Sequence, residues 1–281
     1  MPSQAIADAA SKGASRLQSR SVYLFRDTNY RRLFVVMAGV VLIIFGWQVL
    51  HSYVVHPLLL PSPAQVLKTL WGLLVSGELL EHISASMTRI AIGYSGGCIL
   101  GIALGLLMGR ILWVNDLLSP FLELLRPLSP VAMLPLVLIW FGIGEFAKVF
   151  LVGYTAVIIV LINTIAGVSS MPILRERSAA CLGASNRQIF FHVVLPSAVP
   201  HIVTGMRAAL GFSFMAIVAA ELIAAESGLG FLIMQSRIMI QVDQVFVGLL
   251  ALSVLGALSD LVFRATLSRL SVRFQQDIYN V

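Results

Sequence analysis

The sequence predicts an all-α integral membrane protein with about six transmembrane helices, and three observations carry that expectation. Hydrophobic residues make up 58% of the 281 and charged residues only 11%, with a mean hydropathy of +0.93; soluble domains carry about 25% charged residues. Several windows reach the roughly 20 predominantly apolar residues that a bilayer crossing needs. The basic residues lie in short segments between those windows, a distribution that suits membrane orientation better than nucleic-acid binding despite the net charge of +6. No alternating ten-residue pattern points to an outer-membrane barrel.

Residues 1–32 read as a basic cytoplasmic tail in which Arg16, Arg20, Arg26, Arg31 and Arg32 precede the apolar run "LFVVMAGVVLIIFGWQVL". No small-residue cleavage site follows, so the run is expected as an uncleaved signal anchor and first span, 33–50. It ends at "HSYVVHP". An amphipathic helix starting at Pro63 with Ser62 as its cap is expected along the outer interface, with Val66, Leu67, Leu70, Trp71 and Leu74 at helical spacing.

The second span, 88–109, carries Gly93, Gly97, Gly101, Gly105 and Gly109, each four residues after the last. Five glycines on one helical face allow a neighbouring helix to approach closely. Tight packing is the favoured reading over a sliding surface. Arg110 marks an inside turn. The third span, 117–141, is punctuated by Pro120, Pro127, Pro130 and Pro135 and ends in "WFGIGE"; prolines kink membrane helices where packing or cavity water covers the freed carbonyls. The fourth span is 148–168, the fifth 196–225, an outer connection follows over 226–244, and the sixth span is 245–267. A tail over 269–281 with Arg269 and Arg273 closes the chain.

With both termini in the cytoplasm, the Arg110 turn and the segment between the fourth and fifth spans also fall inside. Outer segments then hold only Lys68, Lys148 and Arg237, with Arg89 near the second span's outer end. One unnoticed span would invert half of this asymmetry.

The segment "RERSAACLGASNRQIFFHVVLPSAVP" interrupts the apolar runs. Residues 175–182 continue as a helix emerging from the membrane, favoured by Ala179 and Ala180. Gly183 permits a tight bend. Ser185 or Asn186 can cap a short second helix with an apolar face of Ile189, Phe190 and Val193, and Pro196 starts the return to the bilayer. A short helix held at the membrane boundary is a docking element for something soluble.

"LGASNRQIFFHVVLPSAVPHIVTGMRAALG" closely resembles the EAA-loop region of ABC importer permeases. The family pattern is Glu-Ala-Ala-x3-Gly-x9-Ile-x-Leu-Pro, which from Gly183 places Val193 at the hydrophobic position and Leu195–Pro196 at the Leu-Pro step. Arg177, Ser178 and Ala179 stand at the first three positions, so the glutamate is missing there and Glu176 lies one residue earlier. "LLRPLSPVAMLPLVLIWFGIGEFAKVFLV" and "VAAELIAAESGLGFLI" resemble the nitrate/sulfonate/taurine subfamily, nearest to taurine and alkanesulfonate permeases. The resemblance covers roughly 60–273.

The resemblance implies a type I ABC importer transmembrane domain over 33–268, with a coupling loop at about 172–195. A coupling helix over 184–191 would seat in an ATPase dimer, using Glu176, Arg177, Ala179, Gly183, Ala184, Ser185, Asn186, Arg187, Phe190 and Pro196. It further implies a second, identical permease copy, a periplasmic binding protein, an inner-membrane location and uptake of sulfonates such as taurine; nitrate, bicarbonate and aromatic-acid relatives share the fold. The chain has no Gly-x-x-x-x-Gly-Lys-Ser/Thr loop, so ATP and magnesium are expected on the partner ATPase and no cofactor on this chain.

Candidate pathway residues are Glu221, Phe212, Met215 and Arg126. A carboxylate at mid-membrane costs about 2.5–3.5 kcal/mol on insertion scales, so Glu221 needs a cavity or a cation; a structural ion pair with Arg89 or Arg237 is the preferred reading. Arg126 and Arg207 could attract an anion, with snorkelling favoured for Arg207. Met206, Phe212, Phe214 and Met215 form either a hydrophobic gate or ordinary packing. Cys181 with His192 falls short of a metal site, and neither cysteine has ligand spacing or a disulfide partner in Cys98. A secondary transporter or channel would call for two repeated halves, and no internal repeat is found. A membrane enzyme would need a nucleophile–base constellation that the sequence lacks.

Overall fold

The computed structural model describes residues 35, 37–39, 41–54 and 59–271. The expected basic tail over 1–32 and the tail beyond 271 lie outside the described residues. The chain divides into two compact units, 1–65 and 66–281.

In the first unit, α1 (Met37–Tyr53) is apolar and shorter than 18 residues, and it widens into a π-helical turn at Leu50–Val54. The chain after it is held by Trp47 Nε1, which donates to the Pro61 carbonyl at 3.1 Å, and by His51 Nδ1, 2.6 Å from the Leu60 carbonyl oxygen. α2 (Pro63–Val75) begins with a reciprocal cap. Ser62 Oγ accepts from the Gln65 N–H at 3.2 Å and Gln65 Oε1 accepts from the Ser62 N–H at 2.9 Å. Within the second unit, α2 buries Val66 and Leu73 and exposes Leu67 and Trp71.

α3 (Glu78–Arg110) begins well before the expected residue 88. Its extra turns bury His82 and Ser86, polar groups that the sequence alone assigned to an outer segment. α3 packs most extensively on α6 (Glu145–Ser169). A Cβ added to the glycine stripe would meet α6 at every step: 2.7 Å from the Val149 carbonyl oxygen at Gly93, 2.6 Å from Ala156 Cβ at Gly97, 2.9 Å from the Val157 carbonyl oxygen at Gly101, 2.5 Å from Thr164 Cβ at Gly105 and 2.8 Å from Val168 Cβ at Gly109. The stripe lets the two backbones approach closely.

The expected third span is broken. α4 (Leu112–Leu125) and α5 (Pro130–Phe141) meet at 101°. The intervening "RPLSP" supplies two prolines that cannot donate, and Ser129 caps α5 by accepting from the Val131 N–H at 3.3 Å. Tyr154 on α6 donates to the Leu125 carbonyl at 2.9 Å and also reaches that of Leu128 at 3.4 Å. The carbonyls freed by the break are thereby partly satisfied.

α7 (Ile173–Cys181) and α8 (Asn186–Ile189) follow. A π-helical turn, Phe190–Val194, then leads without a break into α9 (Leu195–Ala224). Helix thus runs from Asn186 to Ile223, and no boundary falls at Pro196. The π turn gives the reason. The Leu195 N–H reaches back to the Phe190 carbonyl, a wider loop that admits the proline ring one residue later. The expected outer connection contains a helix, α10 (Leu229–Ile238), whose Leu229, Gly230, Leu232 and Ser236 are buried. α11 (Val242–Ser271) closes the described chain.

Among the described residues, four helical runs can cross a membrane by length and composition: α3, α6, Asn186–Ile223 and the Val242–Thr266 part of α11. The bent α4–α5 pair makes five if it counts as one span. The expected first span, 33–50, lies partly outside the described residues.

Candidate functional site

The loop between α6 and α9 is built from two helix terminators set back to back. Gly183 has φ +84°, the left-handed conformation that glycine adopts without a Cβ penalty. Its N–H donates to the Ala180 carbonyl at 3.0 Å and the next N–H, of Ala184, donates to Ala179 at 3.1 Å. This paired pattern is the Schellman motif. Two residues on, Ser185 Oγ accepts from the Gln188 N–H at 3.4 Å while Gln188 Oε1 accepts from the Ser185 N–H at 2.8 Å, a capping box that starts α8. Ser185, not Asn186, is the cap.

Ile189, Val194, Ala198 and Ile202 are buried against Val168 of α6, with Ala179, Ala184 and Phe190 packed on the same cluster and Ile102 and Leu106 reaching it from α3. Leu182, at 89% exposure, and Phe191 stay on the outer surface, and the Arg187 guanidinium lies 6.0 Å from the Phe191 ring centre. Arg177 and Asn186 are exposed as well. Glu176 turns the other way: its carboxylate pairs with Arg110 Nη1 at 2.6 Å, tying α7 to the end of α3. A concavity of about 440 Å³ lies on this element, lined by Leu182, Gly183, Gln188 and His192 among others. His192 Nδ1 is 3.1 Å from the Gln188 carbonyl oxygen.

In the N-terminal half of α3, Arg89 is the hub of a buried polar cluster. Its Nη1 lies 2.7 Å from Glu221 Oε1 and its Nε 2.5 Å from Glu145 Oε2. It also donates to the Ser227 carbonyl at 2.6 Å. The Glu221 side chain has no exposure; Ser86 Oγ lies 2.8 Å from both its oxygens, and the Gly230 N–H donates to Oε2 at 2.9 Å. Lys148 completes the charge balance through Glu145, at 2.8 Å. α3, α6, α9 and α10 all meet here.

A separate cavity of about 420 Å³ opens where α4 breaks into α5. Arg126, Ser129, Tyr154, Thr155, Phe212 and Met215 are among its lining residues. Phe212 and Met215 also border a second concavity of about 590 Å³ that contains Arg207 and Asp260. Asp260 pairs with Arg207 at 2.7 Å and with Arg264.

Residues 97–272 match the family described as the binding-protein-dependent transport system inner membrane component. The chain belongs to this family. It is 39% identical to the taurine transport system permease protein TauC of Escherichia coli over 236 residues, 82% of this chain and 86% of that one. It is 34% identical to the putative aliphatic sulfonates transport permease protein SsuC of Bacillus subtilis over 89% of this chain and 92% of that one. Identity is also 34% to the nitrate import permease protein NrtB of a Synechocystis strain, over 79% and 83% of the two chains. The fold resembles that of a bacterial ABC transporter solved in complex with an alginate pentasaccharide-bound periplasmic protein, with a TM-score of 0.54 at 18% identity over 89% of this chain and 97% of that one.

In this permease the expected pathway residues separate. Arg126, Phe212 and Met215 share the elbow cavity. Glu221 does not line it: the carboxylate is enclosed by Arg89, Ser86 and the Gly230 N–H, where α3, α9 and α10 close over it. Met206 and Phe214 pack in the core, so the four apolar residues proposed as a gate split into two inside and two facing cavities. Arg207, expected to snorkel, instead has a carboxylate partner in Asp260; the signal available in the sequence is that Asp260 and Arg264 stand four apart in an apolar run. Arg110 does more than mark a turn. Its pairing with Glu176 crosses 66 sequence positions (176 − 110), and no local pattern announces it. Cys98 is buried and Cys181 exposed, and neither is in a disulfide.

Proposed function

We propose that this permease is the transmembrane subunit of an ATP-driven importer for small sulfonates such as taurine and alkanesulfonates, and that the loop around Gly183 couples it to a separate ATPase. The single observation that carries the coupling role is the double terminator at Gly183 and Ser185. It presents Leu182, Arg187 and Phe191 outward on a base anchored by the Ile189–Val194–Ala198 cluster. A push on this surface is transmitted directly, because helix continues from Asn186 to Ile223.

In the proposed cycle, closure of an ATPase dimer draws two such loops together. The continuous α8–α9 rod tilts, and α3 and α6 move with it as one body because their backbones interlock along the glycine stripe. The Arg110–Glu176 pair carries the motion of α7 into α3. Access then changes toward a periplasmic binding protein, and hydrolysis reverses it. ATP and magnesium belong to the ATPase; this chain converts closure into access. Two identical permease copies and cytoplasmic termini fit this scheme and the positive-inside pattern.

Sulfonate cargo is supported by the likeness to taurine and aliphatic sulfonate permeases. The test is growth of a deletion strain and its complemented derivative on taurine, a simple alkanesulfonate or sulfate as sole sulfur source. Loss confined to a sulfonate and restored by complementation is the expected result. Unimpaired growth on both sulfonates, in a strain without another sulfonate transporter, would refute the assignment.

A further inference from the structure

We infer that the elbow cavity between α4 and α5 is a transit site for small organic anions, with Arg126 taking the anionic head and the α6 and α9 walls taking a short alkyl tail. The inference rests on the importer reading and gives the permease itself a share in selecting cargo.

Depth is the first argument. Tyr154, Thr155 and Ile158 fall in the middle of α6 (Glu145–Ser169), and Phe212 and Met215 in the middle of α9 (Leu195–Ala224). Arg126 follows the last turn of α4, a 14-residue helix that carries it roughly 21 Å along its axis from the Arg110 end. A cation so placed is costly in lipid and belongs to a water-filled cavity or a counter-charge.

Pairing is the second. Arg89, Arg110, Arg207, Arg264 and Lys148 each have a carboxylate within ion-pair distance. Among the described residues Arg126 forms no ion pair; it lines both the elbow cavity and an adjoining one of about 190 Å³, and the nearby Glu123 borders only the adjoining one, with Asn115 and Ser119. Its guanidinium is a planar set of donors suited to an oxyanion.

The walls supply the third. Beyond Arg126 and the hydroxyls of Ser129, Tyr154 and Thr155, of which the last two already donate to backbone carbonyls, the lining is apolar or aromatic and includes Ile158, Ile159, Phe212 and Met215. A volume of about 420 Å³ lies within the usual range for small-ligand sites. An inorganic oxyanion gains nothing from such walls. A sulfonate with a short alkyl chain satisfies both halves of the site.

Lipid phosphate could present the same head-group chemistry, so the experiment separates the sources. The permease–ATPase complex is placed in nanodiscs of neutral phosphatidylcholine, and equilibrium binding of radiolabelled butanesulfonate is measured. R126Q should weaken binding about tenfold or more, the loss expected for one charge-assisted contact, and R126K should fall between R126Q and wild type, because it keeps the charge without the planar donor set. I158W should weaken butanesulfonate more than methanesulfonate, because it fills the tail wall. Wild-type affinity in R126Q, or no butanesulfonate binding by the wild type, would overturn the inference. So would displacement of the probe when phosphatidylglycerol replaces part of the neutral lipid. Should R126Q fail to assemble with the ATPase, R126K and I158W carry the test, and an I158W variant with unchanged chain-length preference overturns it. Binding-protein-driven uptake by the wild type is measured in parallel. No sulfonate uptake defeats the importer assignment, whereas normal uptake with R126Q binding normally defeats the transit site alone.

Discussion

Arg89 and Glu221, 132 residues apart, form an ion pair of 2.7 Å in which the glutamate side chain is wholly buried. Removing one member of a buried pair typically costs about 3–5 kcal/mol because the other charge is stranded. Arg89→Gln strands Glu221, whose remaining donors are the neutral Ser86 hydroxyl and Gly230 N–H. Glu221→Gln leaves Arg89 with Glu145, and the new amide can still accept from Ser86. Thermal unfolding of the purified complex should therefore show a larger drop for Arg89→Gln than for Glu221→Gln. The reverse order would refute this account of the cluster.

The glycine stripe has a built-in control. Gly96 and Gly97 are neighbours, yet a Cβ at Gly97 would sit 2.6 Å from Ala156 Cβ and one at Gly96 meets nothing within 4 Å. Gly97→Val should destabilise by about 1–3 kcal/mol or more through overpacking. Gly96→Ala should be neutral or stabilising by up to about 1 kcal/mol, since alanine is the better helix former. Thermal midpoints of the two variants decide the matter; equal loss in both would mean that the α3–α6 approach is not what the stripe serves.

Gly183 has φ +84° with open space around it. A substitution there meets backbone strain rather than a clash, about 1–2 kcal/mol for an L residue in the left-handed region. Gly183→Asn should be milder than Gly183→Val, because asparagine visits that region more readily. The expected readout is loss of substrate-stimulated ATPase in the valine variant and partial retention in the asparagine variant. Full coupling in Gly183→Val would refute the coupling role.

Arg110 and Glu176 are each about one-third exposed in their side chains, so the pair contributes at most about 1 kcal/mol to stability. Its importance should appear in coupling. Glu176→Arg should lower transport per ATP hydrolysed with little change in melting temperature. The exchange Arg110→Glu with Glu176→Arg should restore part of it. Failure of the double exchange to recover any coupling would show that the pair does not carry force.

Composition and the placement of basic residues determined by themselves that this is a helical membrane chain, and Gly183, Ser185 and Gln188 marked the tight loop between α6 and α9. Those features were legible because hydropathy, turn chemistry and proline act locally. The glycine stripe was equally legible as a packing face, although the sequence did not say which helix would fill it. Tertiary structure alone decided that α6 fills it and that Arg89, not Arg237, is the cation Glu221 meets. It also showed that Arg126 meets Phe212 and Met215 at one cavity, that Arg110 reaches Glu176, and that "RPLSP" turns the chain by 101° rather than merely kinking it. Each of these depends on groups far apart in sequence brought together by packing. The cost of a buried charge reveals that a partner must exist; only the packed helices reveal which one it is.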